Sequence, residues 1–150
     1  MEQKEFREAL AFAVAKEEEA AAFYREASRK ARSPHMKEAF LQMAGEEQKH
    51  RELLITLDIE RVTARTIVKI PDLKLAEQLA DVGYSPDMTY QDILILAMKR
   101  EKEAFLLYHG IAEHSDDADL RKLFQILAQE EAGHKLRLET EYDQCVLNGY

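Results

Sequence analysis

The sequence predicts an all-α fold: a four-helix bundle whose second and third helices are joined by a long crossover. Three observations carry this. Apolar residues recur at steps of three and four over long stretches, as on a helix with one face turned to a core. Five glycines and three prolines in 150 residues are too few for a turn-rich sheet. The second half also repeats the first at a fixed offset of 84 positions, in Ala13/Ala97, Ala20/Ala104, Tyr24/Tyr108, Phe40/Phe124, Ala44/Ala128 and Leu54/Leu138. Two copies of a helix pair with a long connection between them make a bundle.

The first helix is expected from about Glu5 to Arg32, on the stripe Phe6, Leu10, Ala13, Ala20, Tyr24, Ala27 and Ala31. Ser33-Pro34 stops it and opens the second, with Ser as cap and Pro at the first helical position. The second helix keeps Met36, Phe40, Met43, Leu54 and Leu57 on one face and runs to about Asp58. Residues 59–88 form the crossover, punctuated by Pro71, Gly83 and Pro86, with a short helix from Leu73 to Ala80. Thirty residues are too many for a tight turn and suit the long connection some bundles use. Thr89 caps the third helix, whose stripe is Leu94, Ala97, Ala104, Tyr108 and Ile111. His114 to Asp119 make a polar turn. The fourth helix carries Leu120, Phe124, Leu127 and Leu138 to about residue 141, and Tyr142 to Tyr150 are expected to fray. The helix pairs are thus 5–58 and 89–141, in one domain spanning 1–150.

A net charge of −8 argues against nucleic acid or an anionic membrane as partner. One cysteine, Cys145, excludes a disulfide framework and a cysteine-rich metal site within the sequence. The start MEQKEFREAL has neither the basic region nor the apolar stretch of a secretory signal, and no run is apolar and long enough to span a bilayer. The expected compartment is the cytoplasm.

Six ionisable residues break the apolar pattern. Glu17 sits between Ala13 and Ala20, and Glu101 between Ala97 and Ala104. Glu47 and His50 fall between Met43 and Leu54; Glu131 and His134 fall between Leu127 and Leu138. The pairs Glu17/Glu101, Glu47/Glu131 and His50/His134 share the 84-residue offset. A Glu and a His three apart lie on one helix face and reach one site. A buried, unpaired carboxylate costs several kcal/mol, and four together repel one another. Two divalent cations would offset that charge. Carboxylate oxygens with imidazole suit iron or manganese, with zinc a substitute.

A single Glu-x-x-His in a charged helix means little; two in phase with the seam and with each other point to metal. Glu18 matches Lys102 in the repeat and drops out as a ligand, whereas Glu19/Glu103 and Glu46/Glu130 do repeat but lie off the stripe. These are either solvated faces or acids that support the ligands from behind. Tyr24 and Tyr108 lie two turns beyond Glu17 and Glu101. Their hydroxyls either orient ligand carboxylates on facing helices or satisfy other buried acceptors. His35, His109 and His114 read as surface residues. Gly45 and Gly133 each cost their helix about 1 kcal/mol against Ala, with close helix approach as one reason to keep them.

Glu17-x6-Tyr24, Glu47-x-x-His50, Glu101-x6-Tyr108 and Glu131-x-x-His134 resemble the ferritin-like superfamily, the rubrerythrin diiron domain in particular, over about residues 5–140. The resemblance implies a carboxylate-bridged centre of two iron ions. Glu47 and Glu131 would bridge, Glu17 and Glu101 would be terminal ligands, and His50 and His134 would complete the two irons. It also implies reduction of hydrogen peroxide or dioxygen, and a homodimer is expected. Departures bear on this. Full-length rubrerythrins add a four-cysteine iron domain, so with one cysteine the expected electron donor is a separate protein, rubredoxin-like or other. Rubrerythrins usually carry a further Glu one turn after the third-helix ligand, and here that position is Ala104. Bacterioferritins place a haem-binding Met after the second-helix Glu, and here it is Gln48, so no haem is expected. Iron storage without catalysis, oxygenation of an organic substrate and a vestigial structural bundle are the alternatives.

Overall fold

In the computed structural model, residues 3–57, 67 and 69–147 are described. Among the described residues the regular elements are all helices: α1 (Gln3–Lys30), α2 (Pro34–Thr56), a one-turn α3 (Leu75–Gln78), α4 (Tyr90–Glu113) and α5 (Ala118–Tyr142). A π-helical turn, Asp143–Leu147, follows α5 directly. Four long helices form a bundle; α1 packs chiefly on α2, and α4 chiefly on α5. The 84-residue repeat is thus two helix hairpins joined by a crossover.

Local chemistry sets the ends. Ser33 takes an extended conformation, and its hydroxyl accepts from the Met36 amide at 3.1 Å, with Pro34 in the first turn where its missing N–H costs nothing. Thr89 caps α4 by accepting from Asp92 N at 3.1 Å. The Asp117 carboxylate accepts from Asp119 N and Leu120 N at 2.9 and 3.1 Å. That cap starts α5 at Ala118, inside the stretch expected to be turn.

Other boundaries differ from the sequence reading. Helix α1 stops at Lys30, since the cap and proline of α2 take the next residues out of register. Helix α2 ends at Thr56, where Leu57 turns left-handed (φ 48°); Asp58 lies outside the described residues, as do 59–66 and 68 of the crossover. The crossover helix is four residues long rather than eight. The C-terminal segment does not fray at Tyr142, which is 3% exposed within α5, and Asp143–Leu147 stay helical. Residues 148–150 lie outside the described residues.

The described end of the crossover is fastened by charge. The Lys135 ammonium lies 2.7 Å from Asp72 Oδ1, 3.0 Å from Glu139 Oε2 and 3.4 Å from Glu77 Oε1. Glu139, fully buried, also accepts from the Ala76 amide at 3.0 Å, tying α3 to α5. Burial opposes the charge on Lys135, but Asp72 and Glu139 outweigh it and hold its pKa above the usual value.

The apolar interior falls into two clusters. One gathers Tyr24, Phe40, Leu94, Met98 and Leu138; the other gathers Ala13, Leu54, Tyr108, Phe124 and Leu127. On the four long helices, the six ionisable residues fall between the two clusters.

Candidate metal centre

Glu17 on α1, Glu47 and His50 on α2, Glu101 on α4, and Glu131 and His134 on α5 are all buried, each at most 6% exposed. They converge as two overlapping groups. Glu17, Glu47, His50 and Glu131 bring one ligand atom each within 4.8 Å of one another, and so do Glu47, Glu101, Glu131 and His134. Glu47 and Glu131 belong to both groups, the place a bridging carboxylate would take. His50 Nδ1 stands 2.9 Å from Glu131 Oε1, 3.3 Å from Glu47 Oε1 and 3.6 Å from Glu17 Oε2. His134 Nδ1 stands 3.3 Å from Glu47 Oε1 and 3.6 Å from Glu101 Oε1. The two imidazoles are nearly parallel, 18° apart, with centroids separated by 6.2 Å.

Each outer atom of the group is held by a residue from the opposite hairpin. Tyr24 on α1 donates its hydroxyl to Glu101 Oε1 at 2.5 Å, and Tyr108 on α4 donates to Glu17 Oε1. His50 Nε2 bonds Glu130 on α5, and His134 Nε2 bonds Glu46 on α2 at 2.5 Å. Each tyrosine ring also stacks on a phenylalanine of its own hairpin, Tyr24 on Phe40 and Tyr108 on Phe124, at 6.0 and 6.1 Å. Of the two sequence readings for Tyr24 and Tyr108, the structure shows the one in which they bond carboxylates across the bundle. Glu46 and Glu130 are half-buried and lie behind the histidines. Their signal in the sequence was the repeat itself, which the off-stripe position obscured. Glu18 faces out and bonds Arg51.

What remains inside tests whether a metal pair fits. Six buried atoms of this group have no well-aligned hydrogen bond, though His50 Nδ1 and Glu131 Oε1 lie close together: Glu17 Oε2, Glu47 Oε1, His50 Nδ1, Glu101 Oε2, Glu131 Oε1 and His134 Nδ1. There is one from each of the six residues, and all are of types that bind cations. Buried polar atoms are rarely left so. Four carboxylate oxygens and two imidazole nitrogens directed at a shared space are a donor set for two divalent ions. A third acidic group, Asp72, Glu77 and Glu139, lies under the crossover, but there Lys135 is already the cation among them.

Without cations the group titrates abnormally. Burial drives Glu17 up to about 7, with the charge of Glu47 adding to it against the pull of His50. Burial also pushes Glu131 well above the usual carboxylate range, helped by Glu101, Glu47 and Glu17. Glu47 is equally buried, but the two histidines outweigh burial and hold it low. Burial disfavours charge on both imidazoles, yet the surrounding carboxylates raise both above 6.5. Burial and then the nearby carboxylates raise Tyr24 and Tyr108, which keeps both as neutral donors.

A cavity of about 170 Å³ opens between α1 and α4, where the hairpins pack loosely, and reaches Glu17, Glu47, Glu101 and Glu131. Neither histidine lines it. Gly45 and Gly133 are not close-approach sites: nothing lies within 4 Å of where a Cβ would stand on either. Among the described residues no helix is long and apolar enough to cross a membrane.

The profile of the rubrerythrin family matches residues 8–142. Two solved structures share the fold. A hypothetical protein from Pyrococcus furiosus is 25% identical, with a TM-score of 0.68 over 93% of this chain and 89% of the other. A conserved hypothetical protein from Mycobacterium tuberculosis is 20% identical, with a TM-score of 0.67 over 93% and 98%. No curated protein matches the sequence. A symmetric set of buried carboxylates and histidines, on a bundle of this topology and with a profile match over nearly all its length, places the chain in the rubrerythrin family of ferritin-like diiron domains.

Proposed function

We propose that the chain holds two iron ions and is an oxidoreductase that reduces hydrogen peroxide, or dioxygen, to water. The single observation that supports this most is the set of six buried atoms left without a well-aligned hydrogen bond, one on each expected ligand. Glu47 and Glu131 would bridge the ions, Glu17 with His50 would complete one, and Glu101 with His134 the other. Held there, an iron pair would supply two electrons at one place, enough to cleave a peroxide O–O bond without release of a radical; dioxygen would need two such turns, with the donor restoring the pair between them.

The chain's own residues do the rest. Glu130 and Glu46 accept the Nε2–H of each imidazole, which would keep the proton on Nε2 and leave Nδ1 with its lone pair turned inward. Tyr24 and Tyr108 each bond one oxygen of a terminal glutamate and leave the other oxygen for the ion. The apolar clusters above and below exclude bulk water along the bundle axis, so the cavity between α1 and α4 is the approach for the oxidant. Where many rubrerythrins carry a further glutamate, Ala104 lines that approach.

Electrons would come from a separate donor protein or reductant, since one cysteine cannot form a four-cysteine iron site within this sequence. The reading also takes the molecule as a cytoplasmic homodimer. Two measurements test it. Protein purified from iron-replete cells should carry close to two metals per chain, and Glu101→Ala markedly fewer. In anaerobic stopped flow, the ferrous protein should be oxidised by hydrogen peroxide faster than free Fe(II); equal rates would end the oxidoreductase reading.

A further inference from the structure

The cavity between α1 and α4 is larger than hydrogen peroxide requires. It measures about 170 Å³, whereas a water needs only about 10–15 Å³ of such space. Its depth is polar, where the four ligand carboxylates stand. Its sides are apolar: Phe12, Ala20, Ala104 and Leu107. Ala20 and Ala104 are repeat mates, each one turn beyond a terminal glutamate, and their small size is what leaves the space. The mouth carries Lys16, Arg100, Glu19 and Glu103, two charges of each sign. Lys16 is 3.5 Å from Glu19, and the Arg100 guanidinium lies 4.8 Å over the Phe23 ring. Such a mouth has no net sign with which to select an ion. The geometry suits a small neutral molecule with a reactive polar end and a compact apolar body.

We propose that this cavity seats the organic group of an alkyl hydroperoxide, so that the centre reduces R–O–O–H as well as hydrogen peroxide. This rests on the peroxide-reducing reading above. The peroxidic end would lie toward the carboxylates, and the alkyl group between Phe12, Leu107 and the two alanines. The O–O bond breaks. The hydroperoxide takes two electrons from the iron pair and two protons from water at the mouth, leaving an alcohol and water. An external electron donor then restores the pair. The apolar side of the cavity would take a small branched group, and Ala104 sets how bulky that group can be.

The test compares tert-butyl hydroperoxide with hydrogen peroxide on the anaerobic ferrous protein, wild type and Ala104→Leu. The wild type should consume both faster than free Fe(II) and yield tert-butanol. Filling the cavity with a leucine should lower the rate with tert-butyl hydroperoxide, relative to that with hydrogen peroxide, by at least about tenfold. A second readout needs no turnover: on zinc-loaded protein, saturation transfer to tert-butanol in NMR should be present in the wild type and lost in Ala104→Leu. The inference is overturned if hydrogen peroxide is consumed quickly and tert-butyl hydroperoxide no faster than by free Fe(II). It is equally overturned if the variant slows both peroxides alike or leaves the tert-butanol signal intact. Failure with both peroxides would overturn this inference together with the reading beneath it. The wild-type comparison holds whether or not the variant folds.

Discussion

Tyr108 shows how much one hydroxyl can settle. It occupies one oxygen of Glu17 and leaves the other unpaired in the interior. In Tyr108→Phe that occupied oxygen would lose its donor, and leaving a buried acceptor unsatisfied costs about 1–3 kcal/mol. Cobalt titration of the variant should show one of two sites weakened by about ten- to a hundredfold, the usual cost of losing an orienting partner. The site without Glu17 should bind nearly as before. Two equally tight sites would mean the phenol does not orient the carboxylate. At this scale the sequence was informative wherever a charge interrupted an apolar stripe, which is why the six central residues stood out. It was ambiguous for Tyr24 and Tyr108, since an aromatic on a stripe packs well with or without a partner for its hydroxyl. It was weakest for Glu46 and Glu130, whose positions point sideways from the seam and reach the histidines only because the opposite hairpin crosses there.

Helix α2 carries Gly45 two residues before Glu47, with open space where a side chain would begin. Alanine there should stabilise the protein by about 1 kcal/mol through helix propensity alone. A urea titration of Gly45→Ala should show the midpoint rising with an unchanged slope. A lower midpoint would reveal a demand for glycine that the fold does not display. The long helices could be found in advance because their periodicity persists over many turns. Their ends could not be placed to the residue. The cap at Asp117 competes with other acids nearby, and a π-helical turn such as Asp143–Leu147 has no distinct apolar rhythm. Helix α3 is set by a bond from Ala76 to Glu139, 63 positions away, which no local pattern announces.

For the molecule as a whole, the buried acids give stability an unusual dependence on pH. In the metal-free protein Glu17 stands at about 7 against an ordinary 4.5, Glu131 is raised well above 4.5 by burial, and both histidines lie above 6.5. Each raised group keeps a proton in the folded chain after the unfolded chain has released it. Their stabilisation is complete at low pH and fades as pH climbs through about 4.5 to 7 and beyond. Glu46 and Glu47, held low by the histidines, act in the opposite sense below 4.5. Metal-free protein should therefore melt at a lower temperature near pH 8 than near pH 5.5. Metal-loaded protein should hold or gain, because bound cations replace those protons. Thermal melts of both forms across this interval decide the matter; a metal-free Tm that climbs with pH would contradict the burial of the acids. The supports that cross between the hairpins have one more consequence. The hydrogen bonds to Glu17, Glu101 and the Nε2 atoms of His50 and His134 all come from the other hairpin. A single hairpin, made alone, would hold half a socket with none of its braces, and could complete one only by meeting a twin in the antiparallel sense. The two halves of this chain are such twins, tethered.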